Sequence, residues 1–474
     1  MTSFCRWTRP GALVAALALL AAGRAEAQST RPEPYFSPRG GGAEATARLI
    51  DAAQETIDVA MYSVTTTSAS PIHVALERAV QRGVRVRFIL NQATSANKSK
   101  ANALKNIGVH VYGVSRTLHE KFAIVDARTS RRRLVNGSAN WSTGAEQKYS
   151  ENTVVFGNHY HLVHQFQEEF NRLMAAARPY TPEAAEHMAP VVLSPPSPFV
   201  RRYESALFSS MNHGNGTALI ADKIIEVMRS AERSILVDVA HFNCVSIAKA
   251  LADLRRTKPH LRIEVLTDLG SFSDTKSRAR DLERAGIEVR YKVYSLVWLH
   301  PRSQLMHHKT LIVDERHIVT GSYNWSETAE SSNYENVMVI DGSVSRNRAC
   351  AAAYVAEHDK LWNLGRDIFP RFRAQMLAQP SSPGFKPIIP VHFDTPYFDS
   401  IMTLTRNEFA PVRAVAFSAG ILERAPDGST IYHNAVTYLD RVAGGPHRGP
   451  NPTGRFLDPV PSNTTGLSGS LPGQ

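Results

Sequence analysis

The stretches HEKFAIVD at 119–126 and HHKTLIVD at 307–314 share the pattern H-x-K-x-x-x-x-D. At residue frequencies of roughly one in twenty, three fixed positions should match by chance about 0.06 times in a chain of this length. Each copy is also followed by a related hexapeptide, GSANWS at 137–142 and GSYNWS at 321–326. Chance does not explain the pair, so the sequence contains two copies of one unit.

The elements around the two motifs recur in the same order from about residue 33 to 365. TIDVAMYS at 56–63 matches ILVDVAHFN at 235–243, and both are apolar runs with a central aspartate, as in buried strands. Each is followed by an apolar helical stripe and then by a strand in which apolar and charged residues alternate. A further helix ends near Gly108 in one copy and near Gly286 in the other. Helices that alternate with strands predict an α/β fold, with one α/β sandwich in each half.

The sequence predicts two halves, at 33–175 and 199–365, joined by a Pro- and Ala-rich linker at 176–198. Beyond 365 the duplication stops. Short apolar stretches within 366–442 predict a small appendage that is rich in β-strands. Residues 443–474 are dominated by Gly, Pro, Ser and Asn, which predicts a disordered tail.

The first 27 residues have the form of a secretory signal peptide. Basic residues precede the apolar run GALVAALALLAAG, which is too short to span a bilayer comfortably, and a small-residue A-E-A site ends at Ala27. We therefore expect an exported protein, periplasmic or secreted. The mature chain would keep Cys244 and Cys350, which permit one disulfide without requiring it.

The composition is that of a globular, basic protein. Hydrophobic residues make up 43% of the 474 residues, which suffices for packed cores. The formal net charge is +11, and removal of the three arginines and one glutamate in the signal peptide leaves +9. This charge favours anionic partners such as nucleic acid or an acidic lipid surface.

The spacing within the motif indicates how its side chains are arranged. The histidine and the lysine are two residues apart, so on a strand both project from the same face. The aspartate, seven residues after the histidine, falls on the other face or in the following turn, which suits a structural or orienting role. Two lysines that converge from the two halves would neutralise a phosphodiester. One histidine could attack phosphorus and the other protonate the leaving oxygen, and from the residues alone either could take either role.

These motifs resemble the phospholipase D superfamily, and the resemblance covers roughly residues 33–365. It implies two phospholipase D-like halves related by pseudo-twofold symmetry, with the active site at their interface. It also implies a two-step, metal-independent reaction through a phosphohistidine, with no cofactor. In family terms His119 is the nucleophile and His307 the general acid, and Glu151 and Glu335 orient the histidines. The remaining site residues implied are Lys121, Asp126, Lys309 and Asp314 in the catalytic set, and Ser138, Asn140, Ser322 and Asn324 on the phosphate.

Other polar and aromatic residues near the motifs have simpler interpretations. Trp141 and Trp325 are predicted to pack in the core rather than to stack on substrate. The three histidines of HYHLVH at 159–164 lack the Cys or carboxylate spacing of a metal site and are interpreted as helix surface and edge. No metal site is predicted.

Two loop features bear on the substrate class, and each has an alternative. Ten extra residues before the second motif place LVWL at 296–299 in an apolar tip that could enter a lipid interface, or that could continue a buried strand. A basic segment with Arg128, Arg131, Arg132 and Arg133 could contact the phosphates of nucleic acid near the site, or could be a solvated hairpin.

The prediction is a phosphodiesterase of the phospholipase D type that hydrolyses phospholipid headgroup phosphodiesters. Its partner would be a phospholipid or membrane surface, and possession of both motifs in one chain predicts a monomer. A secreted non-specific endonuclease of the same superfamily is the first alternative. A catalytically silent scaffold that binds anionic ligands is the second, and the intact histidines and lysines of both copies argue against it.

Overall fold

The computed structural model describes residues 31–91, 95–198, 202–212, 218–293 and 305–364 together with four short C-terminal segments, 388–392, 402–407, 420–424 and 430–434. The predicted signal peptide, the apolar tip at 296–299 and the predicted tail at 443–474 lie outside these residues. Among the described helices, none combines the length and the hydrophobicity required to cross a bilayer.

The first half is one eight-stranded sheet with helices on its faces. Its strands lie in the order β1-β8-β7-β6-β2-β3-β4-β9, and β2, β3 and β4 are parallel to one another. Its elements are β1 Glu33–Ser37, α1 Gly42–Asp51, β2 Thr56–Met61, α2 Pro71–Gln81, β3 Arg85–Asn91, α3 Ser95–Asn106, β4 His110–Val114, β5 Thr117–Leu118, β6 Lys121–Val125, β7 Arg133–Gly137, α4 Thr143–Gln147, β8 Glu151–Gly157, α5 Tyr160–Ala176, β9 Arg178–Pro179 and α6 Pro182–Ala185.

The second half repeats this sheet strand for strand, in the order β10-β17-β15-β14-β11-β12-β13-β19. Its elements are β10 Glu204–Phe208, α7 Leu219–Arg229, β11 Ser234–Val239, α8 Val245–Thr257, β12 Arg262–Asp268, α9 Gly270–Ser273, α10 Ala279–Arg284, β13 Glu288–Val293, β14 Lys309–Val313, β15 His317–Gly321, α11 Glu327–Ser332, β16 Asn333–Tyr334, β17 Asn336–Asp341, α12 Ser345–Trp362 and β19 Met402–Leu404. The predicted α/β fold with two repeated halves is therefore confirmed.

The local sequence explains where these elements begin and end. In α2, Pro71 occupies the first turn and the Ser70 hydroxyl accepts the backbone N–H of His73 at 3.3 Å. Gly83 follows the helix with a φ of 83°, a left-handed conformation that costs glycine little. In the hexapeptides, a Cβ on Gly137 or Gly321 would overlap the carbonyl oxygen of the neighbouring strand, so only glycine fits there.

Among the described residues, three large apolar cores and one small cluster around Met306 and Trp362 hold the molecule together. Each half has an outer core between its sheet and its outer helices. A third core lies between the two sheets and takes side chains from both halves, including those of α5 and α12. Trp141 and Trp325 are buried in the outer cores, which confirms that they are packing residues. The sheets therefore face each other across a shared apolar layer, and this layer fixes the two motifs relative to one another.

The strand register corrects the sequence match between TIDVAMYS and ILVDVAHFN. Asp58 lies opposite Ile124 of the first motif, whereas Asp238 lies opposite Thr310, two residues nearer to the second histidine. A shift of two residues keeps the same face of the strand, so the pattern alone could not detect it. Asp58 accepts both Nε and Nη2 of the buried Arg87, at 2.7 and 2.6 Å, whereas Asp238 binds His358 at 2.9 Å.

Three further expectations need correction. The predicted linker at 176–198 packs on the first half: it supplies β9 and α6, and the Tyr112 hydroxyl donates to the Ala184 carbonyl at 2.8 Å. The second half does not end at 365, because Met402–Leu404 pairs with β13 as β9 pairs with β4. The histidines of HYHLVH are buried rather than at the surface, with His159 Nε2 bonded to Glu204 at 2.9 Å.

Besides β19, three described strands lie within the appendage predicted from the sequence. Ile388–His392 (β18) pairs with Gly420–Arg424 (β20), which in turn pairs with Thr430–Asn434 (β21). Cys244 and Cys350 are both free and buried, so the permitted disulfide does not form.

Candidate active site

Each histidine is anchored by the backbone of the opposite half. His119 and His307 stand just before the central strands β6 and β14, whose residues are all buried. The backbone N–H of His119 donates to the Tyr334 carbonyl at 3.0 Å, and that of His307 donates to the Ser150 carbonyl at 2.9 Å. The short strands β5 and β16 pair beside the first of these bonds. The two motifs therefore meet in one cleft between the halves.

The histidine side chains form crossed pairs with glutamates. Nδ1 of His119 lies 2.9 Å from Glu335 of the second half, and Nδ1 of His307 lies 2.7 Å from Glu151 of the first half. Both carboxyl groups are fully buried. Since Nδ1 is engaged in each ring, Nε2 is the nitrogen left to meet a substrate. The sequence predicted that these glutamates orient the histidines but could not predict that the pairs cross.

The motif lysines are buried beside the histidines. Each donates from Nζ to the carbonyl of the histidine two residues earlier, and for Lys309 that distance is 2.6 Å. Burial lowers the pKa of Lys121 to about 7, against the attraction of Glu335, and lowers the pKa of Lys309 to about 8, against that of Glu151. The two ammonium groups also repel one another, which favours an anion between them.

The two histidine–glutamate pairs hold protons differently. Burial lowers the pKa of His119 to about 4; in Glu335 the effect of burial is outweighed by His119, Lys121 and the Ser322 hydroxyl, so its pKa falls. This pair is therefore a neutral imidazole beside a carboxylate. Burial raises the pKa of Glu151 to about 8 and lowers that of His307 well below its ordinary value. That pair keeps one additional proton up to about pH 8.

Ser138 and Ser322, predicted to bind phosphate, are buried and support the strands that carry the glutamates. Ser138 Oγ accepts the backbone N–H of Asn152 at 2.9 Å. Ser322 Oγ accepts the backbone N–H of Asn336 at 2.9 Å and donates to Glu335 at 2.6 Å. Neither serine is exposed to solvent. They help to position the carboxyl groups, and their contact with phosphate stays a prediction.

Asn140 and Asn324 belong to the same hexapeptides. Asn140 lines a cavity together with Ser70 and Thr143. The Oδ1 atoms of both asparagines are buried and have no hydrogen-bond partner among the described residues. Their contact with phosphate stays a prediction.

Asp126 and Asp314, included in the predicted catalytic set, lie away from the cleft. Both follow the far end of the motif strand, roughly 16 Å along it at 3.3 Å per residue. Asp126 accepts the backbone N–H groups of residues 54–56 at 2.8–3.3 Å, and Asp314 accepts those of residues 232–234 at 2.7–3.2 Å. The motif aspartate therefore ties the end of its strand to the start of the neighbouring strand.

The basic segment between Asp126 and Arg133 is at this same far end. Arg128 and Arg131 are exposed on the turn between β6 and β7, and Arg132 donates to Asn158 at 2.5 Å. The prediction that this segment lies near the active site was wrong. It cannot contact a phosphodiester that is held between the two histidines.

Several residues near the histidines were not found from the sequence. The Tyr62 ring lies edge-on to the His119 ring, and the two ring centroids are 5.1 Å apart. Lys121 Nζ lies 5.3 Å from the centroid of the Tyr62 ring. The position of Tyr62 directly after a buried strand, at the carboxyl edge of the parallel strands, was the feature of the sequence that could have identified it. Lys292 is also buried, and the sequence analysis did not single it out. Among the described residues, no group of three or more His, Cys, Asp or Glu is arranged to hold a metal ion.

Comparison with known proteins identifies the class. A family model described as "Cardiolipin synthase, PLD-like domain" matches residues 46–174 and 224–362, more than half of the chain. The chain therefore belongs to this family, within the phospholipase D superfamily.

Individual relatives and structures agree with this assignment. The mitochondrial cardiolipin hydrolase of Xenopus tropicalis is 30% identical over 152 residues, which cover 31% of this chain and 65% of that protein. A phospholipase D of Rickettsia bellii is 29% identical over 125 residues, covering 26% of this chain and 55% of that protein. The phosphatidylserine synthase of Haemophilus influenzae shares the fold with a TM-score of 0.50 and 15% identity, covering 73% of this chain and 90% of that one. The chain thus spans less than two thirds of the length of these two curated relatives.

Proposed function

We propose that this protein is an exported phosphodiesterase of the phospholipase D type that hydrolyses the headgroup phosphodiester of phospholipids. The observation that carries the chemistry is the unlike protonation of the two crossed pairs, one neutral imidazole beside a carboxylate and one pair that keeps a proton. A phosphodiester cleaved through a covalent intermediate requires both a nucleophile and an acid at the same pH.

In the first step, Nε2 of His119 attacks phosphorus. A P–N bond forms, the P–O bond to the headgroup alcohol breaks, and the His307–Glu151 pair gives its proton to the leaving oxygen. In the second step, that pair takes a proton from water, the water oxygen attacks phosphorus, and the P–N bond breaks. Lys121 and Lys309 stabilise the charge on the non-bridging oxygens throughout. No step calls on a metal or a cofactor.

The lipid substrate is supported by the names of the relatives, which are a cardiolipin hydrolase and a phospholipase D. The basic charge of the chain fits an anionic membrane surface. The position of the basic turn, far from the histidines, removes the observation that favoured a nuclease. One chain supplies both histidines and both glutamates, so the proposal needs no second copy.

The test incubates the full chain with phospholipid vesicles and a primary alcohol and, in parallel, with plasmid DNA. A phosphohistidine can pass its phosphatidyl group to the alcohol, so we expect both headgroup release and a phosphatidyl alcohol. Plasmid cleavage without lipid turnover would establish the nuclease, and activity on neither substrate would favour the silent scaffold. Export is tested by the mass of the mature protein, which should begin at Gln28.

A further inference from the structure

The two halves differ in a pair of residues close to the second motif histidine, His307. Asp268 and Lys292 lie opposite each other at the ends of the parallel strands β12 and β13. In the first half the same two places, at the ends of β3 and β4, hold Asn91 and Val114. A carboxylate and an ammonium group therefore stand where the other half has an amide and a hydrocarbon.

The acidic member keeps a contact that both halves share. Asp268 Oδ2 accepts the backbone N–H of Met306, next to His307, at 2.9 Å, as Asn91 Oδ1 accepts that of Leu118, next to His119, at 3.2 Å. An amide is enough for this contact in the first half. The negative charge on Asp268 is better explained by the neighbouring Lys292. Asp268 raises the pKa of Lys292, although burial lowers that pKa by more.

Lys292 crosses the interface to the strand that carries Glu151. It is 1% exposed, and its Nζ donates to Ser150 Oγ at 2.6 Å. The Ser150 carbonyl accepts the backbone N–H of His307 at 2.9 Å, and its own N–H donates to the Leu305 carbonyl at 2.9 Å. The next residue, Glu151, holds Nδ1 of His307 at 2.7 Å. Lys292 thus holds Ser150, which is covalently joined to Glu151 and hydrogen-bonds to His307.

A buried ammonium group is costly unless it has partners, and a hydrophobic side chain can fill the corresponding place, as Val114 does. Packing alone therefore does not account for Lys292. The residue before the other glutamate is Tyr334, which has no hydroxyl at the β-carbon to receive such a bond. Glu357 and Lys360 of α12 also act electrostatically on Lys292, so its environment is charged as well as buried.

We propose that Lys292 is a positioning residue which, through Ser150, fixes Glu151 against His307 and so commits His307 to the general-acid role. This inference rests on the proposed function. Its consequence is that the two halves are no longer interchangeable: the lysine favours protonation of the leaving group in the second half and has no counterpart in the first.

The test compares two lipids that differ only in the leaving group, phosphatidylcholine and phosphatidyl-p-nitrophenol. The choline alkoxide needs a proton to leave, whereas p-nitrophenolate does not. General acid catalysis contributes about 10²- to 10⁴-fold to the rate. Lys292→Met should therefore slow hydrolysis of the choline lipid at least about tenfold more than hydrolysis of the nitrophenyl lipid. Val114→Met, at the matching place in the first half, should keep the wild-type ratio of the two rates.

Equal slowing of both lipids by Lys292→Met, or the same change of ratio in Val114→Met, would overturn the inference. If Lys292→Met fails to fold, Ser150→Ala, which removes only the hydroxyl, provides the same test. Lys292→Arg should give a ratio of the two rates closer to that of the wild type than Lys292→Met does. If the wild type cleaves neither lipid, the proposed function itself fails. That outcome is distinct from an unchanged ratio in an active variant.

Discussion

Glu335 of the second half holds Nδ1 of His119 in the first half at 2.9 Å. The reciprocal bond, from Glu151 to His307, is 2.7 Å long. Neither half contains its motif histidine together with the carboxyl group that orients it. The catalytic unit is therefore the interface, and substitutions at either glutamate should act on the histidine of the opposite half.

Glu335→Gln should lower turnover by about 10²- to 10⁴-fold, the range of acid–base contributions, because the amide neither fixes the His119 ring in the same way nor stabilises the cation that forms on phosphorylation. Phosphohistidine is stable in alkali and labile in acid. When the reaction with labelled lipid is stopped in alkali, less label should therefore remain bound to the variant than to the wild-type protein. Glu168→Gln, an exposed glutamate, serves as the control; normal labelling of Glu335→Gln would contradict the assigned role.

His119→Ala and His307→Ala should each abolish hydrolysis of phosphatidylcholine, since one removes the nucleophile and the other the acid. The wild type should remain active after treatment with a chelator, because each proposed step uses only protein groups and water. His317→Ala, at the surface of the second half, should retain activity. A loss of wild-type activity on chelation that returns on addition of a divalent ion would refute this mechanism.

The pH dependence of kcat/KM should be bell-shaped. Below about pH 4 His119 becomes protonated and cannot attack, so activity falls as pH decreases. Above about pH 7 Lys121 loses its charge, and above about pH 8 the His307–Glu151 pair loses its proton and Lys309 its charge, so activity falls as pH increases. In Glu151→Gln the alkaline limb should move to lower pH, because His307 alone has a pKa well below its ordinary value.

The control for the pH profile is Glu186→Gln, an exposed glutamate at the end of α6. It should leave both limbs in place. An alkaline limb that is identical in Glu151→Gln and in the wild type would show that this carboxyl group does not share the catalytic proton.

Asp126→Asn should reduce stability rather than chemistry. It weakens the bonds to three backbone N–H groups at the start of β2, and the free energy of unfolding should fall by about 1–3 kcal/mol. Urea unfolding measures this change, with the exposed Asp253→Asn as the control. Turnover per folded molecule should stay close to the wild-type value; a large loss of turnover without loss of stability would return Asp126 to the catalytic set.

The sequence predicted the features that repeat along one strand or one helix. The duplication, the α/β fold and the common face of His119 and Lys121 follow from spacing alone, because side-chain direction has a fixed period within an element. It was less informative where two elements meet. The two-residue offset between Asp58 and Asp238 keeps both side chains on the same face of the strand, so the pattern of apolar residues does not reveal the offset.

The crossing of the glutamate pairs and the burial of Lys292 depend on how the two sheets face each other. No local pattern shows which half covers the end of β13, so the burial of Lys292 could not be predicted from the sequence. The bonds of Ser138 and Ser322 to the strands that carry the glutamates were missed for a related reason. A motif places a hydroxyl near the site but does not specify whether it points to the substrate or to the strand that supports a carboxyl group.

The strand Met402–Leu404 has a practical consequence for anyone who shortens this chain. It covers the outer side of Glu288–Val293, which would otherwise present a bare sheet edge with unpaired amide groups, a known route to intermolecular pairing. A recombinant form that stops at residue 365, the end of the second half predicted from the sequence, would lack this cover and should self-associate. One that continues to Asn407 keeps the second sheet complete.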